Sequence, residues 1–112
     1  MADCIFCQIA QKKIQAELIH ESESFFVIRD IHPQAPVHLL IISKEHISSL
    51  NELKPRHQQL LGAMVLRAKE LAVTHGLESG YKLVVNCGPD GGQVVPHLHI
   101  HMLGGKKLHS LA

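Results

Sequence analysis

The chain has 112 residues, of which 46% are hydrophobic and 19% charged, and its formal net charge is +1 with neutral histidines. This balance predicts a single globular domain over residues 1–112 with a full hydrophobic core, and the near-neutral charge without a Lys/Arg cluster argues against a nucleic-acid groove. No apolar run is long enough for a membrane span and the N-terminus lacks a signal pattern, so we expect a cytoplasmic protein with no membrane partner.

The first half of the chain predicts a short helix and two strands. In residues 4–11, the spacing of Ile5, Phe6 and Ile9 is typical of a short amphipathic helix. Residues 25–28 and 37–42 are β-branched and apolar runs that predict strands. The second run is interrupted only by His38, and a polar residue in an otherwise buried strand suggests a functional role.

The second half predicts a long helix and two further strands. The helix is expected from Pro55 to His75, with an apolar stripe of Leu60, Leu61, Met64, Leu71 and Ala72. A strand over residues 81–86 then leads through a glycine-rich turn at 88–92, whose backbone N–H groups could hold an anion. Strands, helix and strands in this order predict an α+β fold with an antiparallel sheet.

Three histidines alternate with apolar residues at the end of the chain, in the order His97, Leu98, His99, Ile100, His101. A repeat of two is that of a β-strand, so the imidazoles are expected on one face, about 6.6 Å apart per step. Such a row can bind a metal, or one histidine can be a nucleophile that its neighbours orient. A plain surface strand is the alternative, although Ser, Thr or Lys would serve it equally well.

The three cysteines are Cys4, Cys7 and Cys87. An odd number in a reducing compartment argues against disulfides, and Cys4 with Cys7 forms a CxxC pair that suits a metal or a redox role. Cys87 is expected to be buried as a small apolar residue. We expect five other histidines to be solvated surface residues: His20, His32, His57, His75 and His109.

The motif His97-Leu98-His99-Ile100-His101-Met102 is similar to the signature of the histidine triad (HIT) family. Further segments agree along almost the whole chain: 4–7, 30–38, 44–47, 85–86, 90–93 and 103–105. The chain most resembles the Hint branch of small purine-nucleoside phosphoramidases. This resemblance implies an antiparallel sheet of about five strands with one long helix and a short N-terminal helix, usually paired as a homodimer.

The resemblance also implies a mechanism. His99 would attack the α-phosphorus of a purine nucleoside phosphoramidate of the AMP or GMP type, forming a covalent nucleotidyl-histidine that water then hydrolyses. His101 would donate a proton to the leaving amine. His38 would hydrogen-bond the phosphate or steer His99, and Asn86 would supply an amide to a phosphate oxygen or to the leaving group. No catalytic metal is required.

The resemblance assigns further residues to the substrate. Asp30 and Ile31 match positions that line the nucleoside pocket, with the carboxylate accepting from the ribose hydroxyls. The alternative is structural, with Asp30 capping a turn and Ile31 in the core. Gln93 could orient the phosphate. Val94 stands where many relatives have a serine that donates to the phosphate, so phosphate binding would depend more on backbone N–H groups.

Some relatives with an N-terminal CxxC pair bind a structural zinc. The matching residues here are Cys4, Cys7, His46 and His97, and two thiolates with two imidazoles form a closed tetrahedral set typical of a structural site. A free, reduced CxxC pair is the alternative.

Two other classes of function remain open. The chain could be a nucleotide-binding or interaction module with incidental hydrolysis, since Val94 leaves room for weak turnover. It could also be a metal-handling protein in which His97, His99 and His101 all bind metal. The last class gives no purpose to Asn86 or to the glycine-rich turn.

Overall fold

A computed structural model describes residues 4–109, and residues 1–3, on which the expectation about a signal sequence partly rests, lie outside that range. The fold is α+β, as expected, with strands β1 Leu18–Glu21, β2 Phe25–Arg29, β3 Val37–Ser43, β4 Tyr81–Val84 and β5 His99–Gly104. They form a five-stranded antiparallel sheet in the order β1-β2-β3-β5-β4. The helices are α1 Ile5–Ala10 and α2 Gln58–Thr74, with 3-10 turns at Leu50–Glu52 and Pro55–His57.

The two faces of the sheet carry separate apolar clusters. Successive residues of a strand point to opposite faces, so Leu39 and Ile41 of β3 pack with α2 whereas Leu40 and Ile42 pack with α1. Strand β5 divides in the same way, with Ile100 and Met102 on the α2 face. The intervening histidines of β5 therefore lie on the face opposite the long helix.

Several boundaries differ from the sequence-based predictions. Strand β1 was not predicted, because its four partly exposed residues form an edge with an irregular register against β2. Helix α2 begins at Gln58, one turn later than predicted, after a 3-10 turn that starts at Pro55. Strand β5 begins at His99, so His97 precedes the strand.

Two predicted environments were wrong. His57 is only 4% exposed. Its Nδ1 accepts from the Lys54 N–H at 2.9 Å and its Nε2 lies 3.2 Å from Glu45, so it joins the start of α2 to the loop after β3. Cys87 is partly exposed instead of buried. Within residues 4–109, no helix combines the length and apolar character that crossing a bilayer requires.

Candidate active site and metal centre

Strands β3 and β5 bring three histidines together on the α1 face of the sheet. Leu40 pairs with His101 and His38 with Leu103, which places the two imidazoles diagonally across the strand pair. His38 Nε2 lies 3.0 Å from His101 Nδ1, and the rings of His99 and His101 are 5.0 Å apart. The structure therefore assembles the residues that the sequence singled out.

The tautomer of His99 is fixed by the backbone. Its Nδ1 lies 2.6 Å from the carbonyl oxygen of His97, so Nδ1–H donates to that carbonyl and Nε2 keeps its lone pair. The ring is 8% exposed and makes an edge contact with Phe6 at 5.2 Å. The His99 ring is thus held in one orientation, with Nε2 as the nitrogen that is left to react.

The neighbouring pair, His38 and His101, carries its ring protons on Nε2, whereas His99 carries its proton on Nδ1. The Gln34 N–H donates to His38 Nδ1 at 3.1 Å, so His38 carries its proton on Nε2 and donates it to His101 Nδ1. His101 then carries its own proton on Nε2. Burial lowers the pKa of both histidines, which favours these neutral forms at pH 7.

Asp30 lies against this pair. Its Oδ2 is 3.4 Å from His38 Nε2, and its Oδ1 accepts from the His32 N–H at 2.8 Å. The carboxylate raises the pKa of His38 and of His101, although burial has the larger, opposite effect on both. Asp30 therefore both closes a turn and contributes negative charge to the site.

A cavity of about 1280 Å³ opens over these histidines. Apolar side chains from α1, β2 and β3, including Phe6, Ile9, Ile28 and Leu40, line one part of it. Ile31 lies at the rim with 85% of its surface exposed, so the alternative that it is a core residue is wrong. The cavity thus combines an apolar region with a polar one at the histidines.

The glycine-rich loop closes another side of the cavity. Asn86 Nδ2 donates to the Gly91 carbonyl at 2.7 Å, and a Cβ at Gly91 would overlap the Cys87 carbonyl oxygen. Val94, which is 89% exposed, lines the cavity with Asn86 and Gly92. The loop requires glycine because its backbone folds tightly on itself.

Gln93 has a different position from the one expected. Its Oε1 accepts from the Gly88 N–H at 2.9 Å, and its Nε2 donates to the carbonyls of Ser48 and Val95 at 2.7 and 3.0 Å. The side chain is not among those that line the cavity. In this structure Gln93 braces the loop through backbone groups instead of facing a phosphate.

A second cluster joins α1 to the start of β5. His97 Nδ1 lies 3.2 Å from Cys4 Sγ, 3.6 Å from Cys7 Sγ and 3.2 Å from His46 Nδ1. Cys7 Sγ is 3.2 Å from His46 Nδ1, and all four ligand atoms lie within 4.8 Å of one another. A tetrahedral zinc would separate two nitrogens by about 3.3 Å and a sulfur from a nitrogen by about 3.6 Å, so the four residues fit that ion.

The surroundings of the cluster also suit a metal. His97 Nε2–H donates to the Ser43 carbonyl at 2.6 Å, so the lone pair of Nδ1 faces the cluster. Metal-bound histidines usually have such a hydrogen bond from the ring nitrogen that does not bind the metal. Burial raises the pKa of the Cys7 thiol, and Cys4 raises it further. A cation would offset that cost, because it binds the thiolate.

The other compact group of potential ligands, Asp30, His38 and His101, is a poorer metal site. A metal on His38 Nε2 would require the proton to move to Nδ1, where the Gln34 N–H already donates. Two donors would then oppose each other. This arrangement favours proton handling over metal binding.

Two residues of the site, Gln34 and Ser43, were not predicted from the sequence. Each acts here through its backbone, Gln34 with its N–H and Ser43 with its carbonyl, so no side-chain pattern could have indicated them. The His97 ring faces Cys4 and His46, as expected from its match to a zinc ligand. Its carbonyl oxygen, to which His99 Nδ1–H donates, was not predicted.

Comparison with known proteins agrees with this geometry. The family model described as "Scavenger mRNA decapping enzyme C-term binding" matches residues 3–111. An uncharacterized HIT-like protein of Synechococcus elongatus is 47% identical over 106 residues, covering 95% of this chain and 93% of the relative. Protein HitA of Neisseria gonorrhoeae is 48% identical over 104 residues, covering 93% of this chain and 97% of that protein.

Solved structures give the same result. A HIT family hydrolase from Legionella pneumophila superposes with a TM-score of 0.93 at 46% identity, covering 96% of each chain. A zinc-bound histidine triad family protein from Mycobacterium smegmatis superposes with a TM-score of 0.83 at 30% identity, covering 99% of this chain and 81% of the other. With its fold, its histidine motif and these relatives, the chain belongs to the histidine triad family.

Proposed function

We propose that the protein is a hydrolase that cleaves the P–N bond of purine nucleoside 5'-phosphoramidates or related nucleotide conjugates. The observation that carries this proposal is the opposite proton placement on two neighbouring imidazoles. His99 has a lone pair on Nε2, whereas His101 has a proton there. A nucleophile beside a proton donor is what displacement of an amine from phosphorus requires. A HIT family hydrolase among the structural relatives supports the reaction class.

The reaction would proceed in two displacements. His99 Nε2 bonds to the α-phosphorus as the P–N bond breaks, and the leaving nitrogen takes the Nε2 proton of His101 in its imidazolium form, which leaves His101 neutral. The positive charge on the nucleotidyl-imidazole is stabilised by the Nδ1–H bond to the His97 carbonyl. Water then attacks phosphorus, returns a proton to His101, and releases the nucleoside monophosphate and neutral His99.

Substrate binding would use both parts of the cavity. The apolar region beside α1 suits a purine base, and Asp30 at its edge can accept from ribose hydroxyls. Asn86 lines the cavity and would bind the phosphate through its second Nδ2 proton, whereas the N–H groups of Gly88, Gly91, Gly92 and Gln93 are bonded within the glycine-rich loop. Gln93 would contribute by keeping that loop in shape.

We also propose a structural zinc held by Cys4, Cys7, His46 and His97. The fit of the four ligand atoms supports it, and a zinc-bound relative adds weight. When bound, the ion would join α1 to the residues before β5 and fix the His97 carbonyl that orients His99. It would take no part in the reaction.

A homodimer in the cytoplasm completes the proposal. The outer surface of α2 exposes three apolar side chains, with Val65 48%, Leu66 63% and Val73 61% accessible. Strand β4 is also an edge strand, which pairs only with β5 among residues 4–109. An exposed apolar helix face and an open strand edge each suit contact with a second copy of the chain.

The test of the reaction compares wild type with His99→Ala on an adenosine 5'-phosphoramidate that carries a fluorescent amine. We expect AMP release by the wild type and a loss of at least about 10³-fold in the variant, because the nucleophile is removed. Acid-quenched wild type should carry an adenylyl group in its intact mass, and the variant should not. His75→Ala, at the far end of α2, should behave as wild type.

Nucleotide binding without AMP release would instead support the second candidate, a nucleotide-binding module. The observation that favours this alternative is Val94, which lines the cavity, is exposed and has no hydroxyl to donate to a phosphate. Calorimetry with AMP and the cleavage assay together distinguish the two. A binding module would bind AMP, but neither its wild type nor His99→Ala would cleave the phosphoramidate.

A further inference from the structure

Resting on the proposed structural zinc and hydrolase, we propose that Cys4 and Cys7 are also a modification site, at which a peroxide oxidises the two thiolates to a disulfide. The oxidised pair no longer binds the ion, and the change reaches the nucleophile His99 through His97 and Phe6. The protein would then lose most of its activity until a thiol reductant restores the pair. The co-reactant is a small peroxide such as hydrogen peroxide.

The two cysteines already lie close together at the start of α1. Cys4 is the N-cap of this helix and Cys7 lies in its first turn, where the Cys7 N–H donates to Cys4 Sγ at 3.5 Å. Both thiols are free, and their sulfur atoms lie within 4.8 Å of each other. Residues three apart in a helix have Cβ atoms about 5–6 Å apart, and a disulfide requires about 3.5–4.5 Å. A shift of about 1–2 Å at the end of a short helix therefore closes the pair.

The exposure of the two sulfurs assigns them different parts in the oxidation. Cys4 is partly exposed, whereas Cys7 is buried with 5% of its surface accessible. A peroxide from solvent therefore meets Cys4 first, and Cys7 is held next to it. An accessible thiol with a second cysteine beside it is the usual arrangement of a pair that oxidises to a disulfide.

The oxidation balances with the peroxide as the only co-reactant. The Cys4 thiolate attacks one peroxide oxygen, the O–O bond breaks, and a sulfenic acid and hydroxide result. The Cys7 thiolate then attacks the Cys4 sulfur and displaces a second hydroxide. Two thiolates, one peroxide and two protons thus give one disulfide and two waters. A disulfide offers no thiolate ligand, and His46 and His97 alone do not complete a tetrahedral site, so the ion is released.

Two contacts connect this pair to the nucleophile. Phe6 stands between the cysteines on α1, and its ring lies edge-on to the rings of His97 and His99 at 5.6 and 5.2 Å. His97 Nδ1 lies 3.2 Å from Cys4 Sγ, while the His97 carbonyl accepts from His99 Nδ1–H at 2.6 Å. Closing the pair therefore moves Phe6 and frees the His97 ring, and His99 loses support for its orientation and tautomer.

The third cysteine provides an internal comparison. Cys87 is partly exposed like Cys4, but it lies in the glycine-rich loop and does not belong to the four-residue cluster. Oxidation that depends on a neighbouring thiol gives a disulfide between Cys4 and Cys7, whereas exposure alone would not distinguish Cys87 from Cys4.

The experiment treats the zinc-loaded full chain with a small excess of hydrogen peroxide. We expect release of about one equivalent of zinc to a chromogenic chelator. The intact mass should fall by two hydrogen atoms, and this loss should be located in the tryptic peptide that contains Cys4 and Cys7. Phosphoramidate cleavage should fall about tenfold, as when a supporting contact of a site is removed. Dithiothreitol with added zinc should restore it.

A measurement without substrate follows His99 itself. In the reduced, zinc-loaded protein, nitrogen NMR shifts of the histidine rings should show His99 protonated on Nδ1. After oxidation the ring should exchange between its two tautomers, because the His97 carbonyl is no longer held in place. This readout does not depend on the identity of the substrate.

Three variants assign the effect to the pair. Serine is a good N-cap that can accept from the Cys7 N–H, so Cys4→Ser should keep α1 while peroxide gives no disulfide. Cys87→Ser should form the disulfide and release zinc as the wild type does. His46→Ala, which lacks the ion but keeps both thiols, should still form the disulfide and separates sulfur oxidation from loss of the metal.

The outcomes separate this inference from the proposals on which it rests. A zinc-loaded wild type that keeps its thiols, loses zinc without a Cys4–Cys7 disulfide, or forms the disulfide with an unchanged His99 tautomer would overturn the inference and leave the zinc site intact. A wild type without zinc would overturn the zinc site and the inference together. A disulfide with zinc release and a changed His99 tautomer supports the inference, even where no phosphoramidate is cleaved and the proposed hydrolase fails.

Discussion

At the scale of single residues, Asp30 has two separable effects on the site. As a ribose acceptor, its carboxylate would affect substrate binding. As a charge 3.4 Å from His38 Nε2, it raises the pKa of both His38 and His101. Burial lowers these pKa values and is the larger influence, so Asp30 limits how far they fall below the ordinary histidine value of about 6.5.

Replacing Asp30 with Asn should therefore lower the pKa of His101 further. We expect the limb of the pH–kcat/KM profile that belongs to this histidine pair to move to lower pH, whatever the change in KM. The measurement is the pH profile of phosphoramidate cleavage by wild type and Asp30→Asn. If Asp30→Asn affected only ribose binding, kcat/KM would fall by the same factor at every pH. A variant profile whose limb coincides with that of the wild type would contradict the electrostatic effect.

A matched control is available for this comparison. Glu78 is an exposed carboxylate beyond the end of α2, so Glu78→Gln removes the same charge at a distance from the histidines. Its pH limb should coincide with that of the wild type.

At the scale of elements, α1 is too short to be stable alone. It has six residues, and Phe6, Cys7 and Ile9 are buried against the sheet. Helices of this length do not persist in water without tertiary contacts. The proposed zinc would add a second attachment, because Cys4 precedes the helix, Cys7 lies within it, and His46 and His97 belong to the sheet side.

Removal of the metal should therefore destabilise the protein and loosen α1. Purified wild type should contain about one equivalent of zinc, and a strong chelator should lower its Tm by about 10 °C. His46→Ala should contain no zinc and should show no further change with chelator, whereas Cys87→Ser should behave as wild type. Less than half an equivalent of zinc in the wild type would rule out the structural ion.

The sequence predicted some elements and not others, for physical reasons. Alternating apolar residues located the central strands, and the stripe from Leu60 to Ala72 located α2, because burial of one face imposes a period. Strand β1 is a short edge strand whose residues are only partly buried, so its sequence shows no such period. His57 looked like a surface residue, because its backbone and Glu45 partners become neighbours only after folding.

The candidate site was predicted to a similar extent. His38, His99 and His101 meet as expected, since a motif on a strand fixes which side chains share a face. The proton placement on each ring could not be predicted, because it depends on the Gln34 N–H and the His97 carbonyl. The bracing role of Gln93 likewise depends on carbonyls distant in sequence.

At the scale of the whole molecule, the large apolar side chains left exposed on α2 distinguish one surface. Val65, Leu66 and Val73 are all exposed on this helix. Substitutions at exposed positions change the stability of a monomer by only about 0.5 kcal/mol. A change there should therefore affect association without unfolding the chain.

Leu66→Glu should convert the proposed dimer to a monomer, since a carboxylate buried in an apolar interface would lack a partner. Light scattering on a sizing column at micromolar concentration should give twice the chain mass for wild type and the chain mass for the variant. Asn51→Glu, with the same added charge at an exposed site outside α2, should remain dimeric. A wild type that elutes only as monomer would refute the dimer, and a dimer that persists in Leu66→Glu would place the interface on another surface.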